Sequence, residues 1–147
     1  MSGTKYGLIG TVFAAALASG LLAGASARAA TDLTVWHAYR GDEKAAFEKV
    51  VGMYNARQKD VAVKTLAVPY DAYADKITAS IPRGKGPDVF IFAQDRLGGW
   101  VEAGETIEPI DFFVDDKVVS QLVPGMMPAM TYRDTIYGLP LNYKSIA

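Results

Sequence analysis

The chain of 147 residues contains no cysteine and a single histidine. Without cysteine, a disulfide framework and a thiolate zinc site are both excluded. A lipid-anchored bacterial export signal also needs a cysteine at its cleavage point, so an exported form is expected to carry no lipid anchor. The one histidine, His37, stands at the end of a predicted strand, which indicates a structural role more than a catalytic one.

An excess of positive charge is lacking as well. The formal net charge is −1, and no cluster of Lys and Arg interrupts the chain. Proteins that bind nucleic acid usually carry a basic surface, so a nucleic-acid partner is not expected. Half of the residues are hydrophobic and 21% are charged, which is typical of a globular domain and too apolar for a disordered chain.

The first 29 residues differ from the rest. Lys5 supplies a positive start, residues 6–25 carry no charge, and two overlapping small-x-small sites follow at residues 25–29. This order predicts a secretory signal peptide, with the mature chain beginning near Ala30 in the periplasm. A retained membrane anchor is the alternative, because the stretch is about long enough to span a bilayer.

Three strand–helix pairs are predicted between residues 33 and 104. The strands cover residues 33–37, 61–68 and 89–93, and the continuous apolar run of the third is typical of a strand buried on both faces. Each helix has a candidate N-cap at its start, and these are Asp42, Asp71 and Asp95. The apolar residues expected to pack the helices against the sheet are Phe47, Val50, Val51, Tyr54, Tyr70, Tyr73, Ala74, Ile77, Ile81, Leu97, Trp100 and Val101.

This alternation predicts an α/β fold with a parallel sheet covered by helices. Ligands of such sheets bind outside the carboxyl ends of the strands, which places a candidate site at residues 38–42 and 94–96. After residue 109 the pattern weakens into short helices or turns over 111–121 and 124–130. Residues 131–139 are predicted to form a hairpin turning at Arg133 and Asp134. No closing helix follows, so we expect a fragment of a longer protein.

Residues 86–104, GPDVFIFAQDRLGGWVEAG, closely resemble the maltose-binding branch of the family 1 extracellular solute-binding proteins. The similarity extends more loosely over residues 33–147 and includes Trp36 and the Tyr-Gly-Leu-Pro run at 137–140. It implies one lobe of a type II periplasmic-binding-protein-like fold, with a parallel-rich sheet flanked by helices. Residues 30–138 would form this first lobe, and 139–147 would begin the crossover, or hinge, toward an incomplete second lobe.

The same resemblance implies ligand-binding roles. Matching residues of maltose binders contact sugar hydroxyls at the positions of Asp95 and Arg96. Phe92 is another candidate, at a position where maltose binders often carry Trp. Tyr39 and Asp42 are candidates in the loop after the first strand. Tyr143 and Lys144 are candidates near a position where the maltose binders carry Glu. All of these candidates except Tyr143 and Lys144 also have a structural alternative. Asp95 can be a helix cap and Arg96 a surface ion-pair partner, Phe92 a core residue, and Tyr39 with Asp42 a turn and cap. Lys144 departs from the family pattern.

The resemblance implies the substrate-binding component of an ABC importer, a monomer that captures maltose or a malto-oligosaccharide and delivers it to the membrane permease subunits. Another sugar or small polar solute is the alternative ligand. No cofactor and no metal are expected. A secreted glycosidase would need two carboxylates across the scissile bond, with Asp95 paired to Glu102 or Asp42, and nothing in the sequence sets that geometry. A purely structural envelope protein is the third class.

Overall fold

The computed structural model describes residues 30–104 and 106–143 of the chain. The predicted signal peptide and Lys144 lie outside the described residues. In chain order the regular elements are β1 (Thr31–His37), α1 (Gly41–Arg57), β2 (Val61–Ala67), α2 (Tyr70–Ser80), β3 (Val89–Phe90), α3 (Leu97–Ala103), α4 (Asp116–Val119), β4 (Thr131–Tyr132) and β5 (Thr135–Ile136). No helix among these described elements is both long and apolar enough to cross a membrane.

The first three strands form one parallel sheet in the order β2-β1-β3. β1 pairs with β2 along its whole length, from Thr31 opposite Val61 to His37 opposite Ala67. Because β1 lies in the centre and each strand is followed by a helix, the three predicted strand–helix pairs and the parallel α/β architecture are confirmed. All three strands end at the same edge of the sheet, and this edge carries the candidate site.

Alternation along β1 separates two sides of the sheet. Trp36 faces α2 and α3, where it joins the buried cluster completed by Val68, Tyr73, Ile77 and Trp100. The ammonium group of Lys76 lies 4.9 Å from the centre of the Trp36 ring and covers it from α2. The predicted packing of Trp100 is therefore confirmed, and Trp36 belongs to the same core. The next residue, His37, points to the α1 side, where its ring meets Phe47.

The predicted apolar stripe of α1 is only partly correct. Phe47 and Val51 are half-buried against the sheet, whereas Val50 and Tyr54 are 61% and 47% exposed. The inward face includes Asn55 instead, whose side-chain amide exchanges two hydrogen bonds of 2.9 Å with the backbone of Val63. A polar residue faces inward here because β2 is an edge strand, and its unpaired backbone groups need partners that an apolar side chain cannot supply.

The predicted N-caps are wrong for all three helices. Arg40 and Pro69 occupy the N-cap positions of α1 and α2, and neither makes a side-chain cap bond. Asp42 and Asp71 lie inside the first turns, where a carboxylate interacts favourably with the helix dipole without capping it. Asp95 lies in a one-turn 3₁₀ helix, Gln94–Arg96, that runs directly into α3, so its side chain caps neither helix.

β3 is shorter and more exposed than the predicted strand over residues 89–93. Only Val89 and Phe90 pair with β1, although the N–H of Ile91 still donates to the carbonyl of Trp36 over 2.9 Å. Val89 is 46% exposed, because in the described part of the chain β3 has a strand on one side only. The expectation of a strand buried on both faces is therefore wrong for these residues.

The hairpin of β4 and β5 forms where it was predicted. Arg133 and Asp134 at its turn both adopt left-handed backbone angles, with φ of 49° and 61°. A two-residue turn of this kind matches the twist of the flanking strands. The predicted short helices are also present, as Asp111–Phe113, α4 and Met127–Met130. Gly104 ends α3 with φ +66°, as expected for a helix C-terminus.

Candidate functional site

The carboxyl ends of β1 and β2 border an open groove of about 330 Å³. Its lining comes from Ala38 and Arg40 in the loop after β1, Glu43 in the first turn of α1, and Tyr70 at the start of α2. Ala38 and Arg40 fall in the segment 38–42 that was predicted to belong to the site, although Arg40 itself, Glu43 and Tyr70 were not chosen as ligand residues. Tyr70 begins the helix that follows the second strand, close to the carboxyl end of that strand, and that position was the signal that could have identified it.

Tyr70 and Phe92 form a stacked aromatic pair beside this groove. Their ring centres lie 5.7 Å apart and their planes differ by 11°. Phe92 also packs against two rings of the core. Its ring centre lies 5.2 Å from that of Tyr73, in an edge-on contact, and 5.5 Å from that of Trp100. Tyr70 is 51% exposed, whereas Phe92 is half-buried. Phe92 therefore packs against the core, as its structural alternative predicted, and also carries the ring of an exposed tyrosine at the site.

Asp95 and Arg96 follow Phe92 after two residues and are both exposed. Neither takes part in the three ion pairs found among the described residues, which are Lys44–Glu48, Lys64–Asp32 and Arg133–Glu102. The alternatives of a cap for Asp95 and a surface ion pair for Arg96 therefore find no support in the structure. Both residues lie in the 3₁₀ helix that follows β3, and neither lines the groove.

Tyr39 is anchored at the base of the loop after β1. Its ring packs against His37 and Phe47, with centres 5.5 and 5.6 Å away, and its N–H donates to Nδ1 of His37. Burial, with a smaller contribution from Glu43, raises the pKa of the Tyr39 phenol. Asp42 is exposed on the first turn of α1 and is not part of the groove lining.

Tyr143 lies in a different place. It is 73% exposed and borders a shallow depression of about 390 Å³ together with residues 121–123, Met126 and residues 140–142. This depression shares no residue with the groove at the carboxyl ends of the strands. The described residues therefore do not bring Tyr143 together with Tyr39, Phe92 or Asp95, and Lys144 lies outside the described residues.

The groove region combines both signs of charge with an aromatic surface. In its lining Arg40 is a hydrogen-bond donor and Glu43 an acceptor, and outside the lining the exposed Asp95 and Arg96 lie in the 3₁₀ helix after β3. Such groups can bind pairs of hydroxyls on a neutral polyol, while the ring of Tyr70 can cover an apolar face. Within residues 30–104 and 106–143, no cluster of three or more His, Asp or Glu side chains is arranged to hold a metal ion.

One of the carboxylates considered for a glycosidase, Glu102, is held by two side chains of the hairpin. Oε1 of Glu102 accepts the Tyr132 hydroxyl at 2.7 Å and contacts the Arg133 guanidinium at 2.6 Å. Glu102 is therefore engaged by the hairpin. His37, the one histidine, is fully buried and uses Nδ1 to accept a backbone N–H. It is not placed to act as a base toward a ligand in the groove.

Residues 38–147 match a family model described as bacterial extracellular solute-binding protein. The chain is also similar to the maltotriose-binding protein of Pyrococcus abyssi, with 32% identity over 115 residues. That match covers 78% of this chain and 25% of the relative. The chain thus spans about a quarter of the length of the curated relatives it matches.

Solved structures of sugar-bound proteins have a similar fold. CpMnBP1 with mannotriose bound is 30% identical, with a TM-score of 0.67 over 75% of this chain and 28% of its own. A cyclo/maltodextrin-binding protein complexed with maltotetraose is 33% identical, with a TM-score of 0.65 over 74% of this chain and 28% of its own. The Thermus thermophilus maltotriose binding protein, at 23% identity and a TM-score of 0.66 over 74% of this chain and 28% of its own, is similar in fold.

Proposed function

Because this chain belongs to the bacterial extracellular solute-binding protein family, we propose that it forms the first part of the carbohydrate-capturing component of an ABC importer. The predicted type II periplasmic-binding-protein-like lobe is confirmed by the similarity to solved sugar-binding proteins. Maltose or a malto-oligosaccharide is the ligand we favour, in line with the 32% identical maltotriose-binding relative. A manno-oligosaccharide is the second candidate, favoured by the 30% identity to a mannotriose-bound protein.

The stacked pair of Tyr70 and Phe92 beside charged groups carries this proposal. Pyranose rings present apolar C–H faces and adjacent hydroxyls, so a binding site needs aromatic surface and bidentate polar groups within a few ångströms. Tyr70 supplies the exposed ring, and its partner Phe92 holds it in place. Arg40 and Glu43 border the same groove, while Asp95 and Arg96 lie in the short 3₁₀ helix that follows β3. We assign hydroxyl contacts to Asp95 and Arg96, with Tyr39 and Asp42 as further contacts of the loop.

We propose that residues 30–138 form one lobe and that residues 139–147 begin the crossover to a second lobe. The support is length, because the curated relatives are about four times as long as the matched segment. A sugar held between two lobes contacts both only in the closed state, so binding shifts the population toward closure. Tyr143 and Lys144 then belong to the second wall of the cleft. The closed form, a monomer, delivers the sugar to the permease subunits.

We further propose that residues 1–29 direct export and are removed, which leaves a periplasmic protein without a lipid anchor. N-terminal sequencing of exported protein tests this, since an intact Met1 in the membrane fraction contradicts it.

Binding without catalysis is the remaining proposal, and it rests on the engagement of Glu102 by Tyr132 and Arg133. Release of glucose or maltose from maltotriose would contradict it.

The ligand is tested by calorimetry of the full-length protein against maltotriose, maltotetraose and mannotriose. We expect saturable binding of at least one malto-oligosaccharide. Exclusive binding of mannotriose would select the second candidate, and no binding of any of the three would contradict carbohydrate capture as proposed. A matched control is Glu108→Gln, which removes an exposed carboxylate outside the groove and should leave affinity unchanged.

A further inference from the structure

His37 connects the end of β1 to the loop that enters the groove. Its side chain is completely buried on the α1 side of the sheet. Nδ1 accepts the backbone N–H of Tyr39 over 3.1 Å, and the imidazole also packs against the Tyr39 ring. The residues on either side of Tyr39 are Ala38 and Arg40, and both line the groove. One buried side chain thus holds the middle of a three-residue segment whose two ends form a wall of the site.

The hydrogen bond sets the protonation state of the ring. Nδ1 can accept from Tyr39 only with a free lone pair, so the proton of the neutral imidazole resides on Nε2. Among the described residues, no protein group accepts a hydrogen bond from Nε2. Protonation of Nδ1 would place two N–H groups against each other. The neutral ring can therefore make this contact, and the imidazolium cannot.

The surroundings also disfavour the charged ring. Burial lowers the pKa of His37 below its ordinary value of 6.5. Two charged groups of α1 act on it in opposite directions, since Glu48 raises the pKa and Lys44 lowers it. Its partner in the sheet, Ala67 of β2, carries no titratable side chain, and neither does Ile91, whose N–H donates to the carbonyl of the adjacent Trp36. The raised pKa of the Tyr39 phenol keeps that group neutral in the same range.

We propose that His37 is a positioning residue for ligand capture. Its neutral imidazole holds Tyr39 through the hydrogen bond to Nδ1, a contact we call the latch. Protonation of the ring breaks this bond and frees the loop 38–40 from the conformation that binds ligand. The inference rests on the proposed function and adds a pH dependence to that site. The neutral form is favoured in the bound state, so affinity falls as the pH decreases through the pKa of His37. A neutral hydrogen bond limits the effect to roughly three- to tenfold.

The latch is tested first without any sugar. In the full-length protein, nitrogen NMR of His37 should show the Nε2–H tautomer at pH 7.5, and the Tyr39 amide proton should shift with the same midpoint at which His37 titrates. This midpoint should lie below pH 6.5. A Tyr39 amide that does not respond while His37 titrates overturns the proposal, as does a neutral ring carrying its proton on Nδ1.

Binding is then measured with maltotriose and mannotriose between pH 7.5 and 5. We expect the wild-type affinity to drop three- to tenfold across the His37 titration. His37→Asn places an amide oxygen where Nδ1 was, so it should bind more tightly at pH 7.5 than a variant with no acceptor and should lose this pH dependence. His37→Phe keeps a ring but has no acceptor, so it should bind weakly at every pH. Wild-type affinity that stays constant across the titration, or a His37→Asn variant that keeps the full pH dependence, overturns the proposal. Failure of both sugars to bind at pH 7.5 contradicts the proposed function, and the latch is then decided by the Tyr39 amide alone.

Discussion

The hydroxyl of Tyr132 donates to Oε1 of Glu102 over 2.7 Å and so joins the hairpin to α3. The neighbouring Arg133 contacts the same oxygen and lies over the Tyr132 ring at 5.3 Å. A Cβ added at Gly98 would lie 3.0 Å from the same ring, so the backbone of α3 approaches the hairpin closely. Glu102 remains exposed on α3 and is also the attachment point between the helix after Asp95 and the hairpin.

Glu102→Ala should lower the pKa of the Tyr132 phenol. The hydrogen bond to Glu102 is the main cause that raises this pKa above its usual 10, because the carboxylate stabilises the protonated phenol. In the wild type the bond is retained until the pH rises through the elevated pKa and is then lost. NMR titration of the Tyr132 ring carbon checks this, with Glu108→Gln as the control. An unchanged Tyr132 titration in Glu102→Ala would mean that the hydrogen bond between Tyr132 and Glu102 does not form in solution.

Asp95→Asn and Asp95→Ala should weaken sugar binding by the full-length protein while leaving the melting temperature similar. A hydrogen bond from a charged group in a closed cleft contributes about 1.5–3 kcal/mol, which corresponds to a roughly ten- to hundredfold loss of affinity. Stability should be retained because Asp95 makes no cap bond. Calorimetry and thermal unfolding measure the two quantities. A clear fall in melting temperature for Asp95→Ala alone would restore the capping role.

Tyr70→Phe should bind sugar nearly as the wild type does, whereas Tyr70→Leu should bind more weakly. Phenylalanine keeps the flat ring that stacks on Phe92, and leucine removes it. An aromatic stacking contact contributes about 0.5–1.5 kcal/mol beyond the area it buries, so affinity should fall at least about twofold. The measurement is calorimetry of the full-length variants. Equal affinity of the two variants would exclude Tyr70 from the ligand surface.

Two glycines of the GPDVFIFAQDRLGG segment should respond oppositely to alanine. A Cβ at Gly86 would lie 2.9 Å from the Cα of Ile81, a backbone atom that cannot move aside easily, so Gly86→Ala should cost about 1–3 kcal/mol. Gly99 lies within α3 and has open space around its Cβ position. Gly99→Ala should therefore stabilise the protein by about 0.5–1 kcal/mol through helix propensity. Chemical denaturation measures the free energy of unfolding of both variants. A Gly86→Ala variant more stable than the wild type would contradict the close approach of Gly86 to Ile81.

Local residue patterns were sufficient for the order of the elements and for the edge of the sheet that carries the site. Three features reflect backbone preferences within a few residues of the chain. They are the run of strand-forming residues before His37, the helical spacing of Tyr73 and Ile77, and the turn at Arg133 and Asp134. Parallel pairing follows from the alternation of strands and helices, because a crossover helix returns the chain to the same end of the sheet. The carboxyl ends of β1, β2 and β3 therefore meet where the sequence predicted.

The N-caps, the length of β3 and the buried face of α1 depended on the tertiary structure. An Asp near a helix start caps it only if the preceding backbone adopts the required angles, and neighbouring segments decide those angles. Asn55 faces inward instead of Val50 because β2 is an edge strand with unpaired backbone groups. A periodic pattern of apolar residues does not contain that information.

The sequence by itself thus determined the fold class and predicted the edge of the sheet for the candidate site, whereas the family resemblance supplied the charged candidates Asp95 and Arg96. The tertiary structure decided which other side chains belong there, since it stacked Tyr70 on Phe92 and brought Arg40 and Glu43 to one groove. It also buried His37 beneath the loop and directed Nδ1 to Tyr39. The physical reason is that strand and helix formation depend on neighbouring residues, whereas stacking, burial and the choice of hydrogen-bond partner depend on groups that only folding brings into contact.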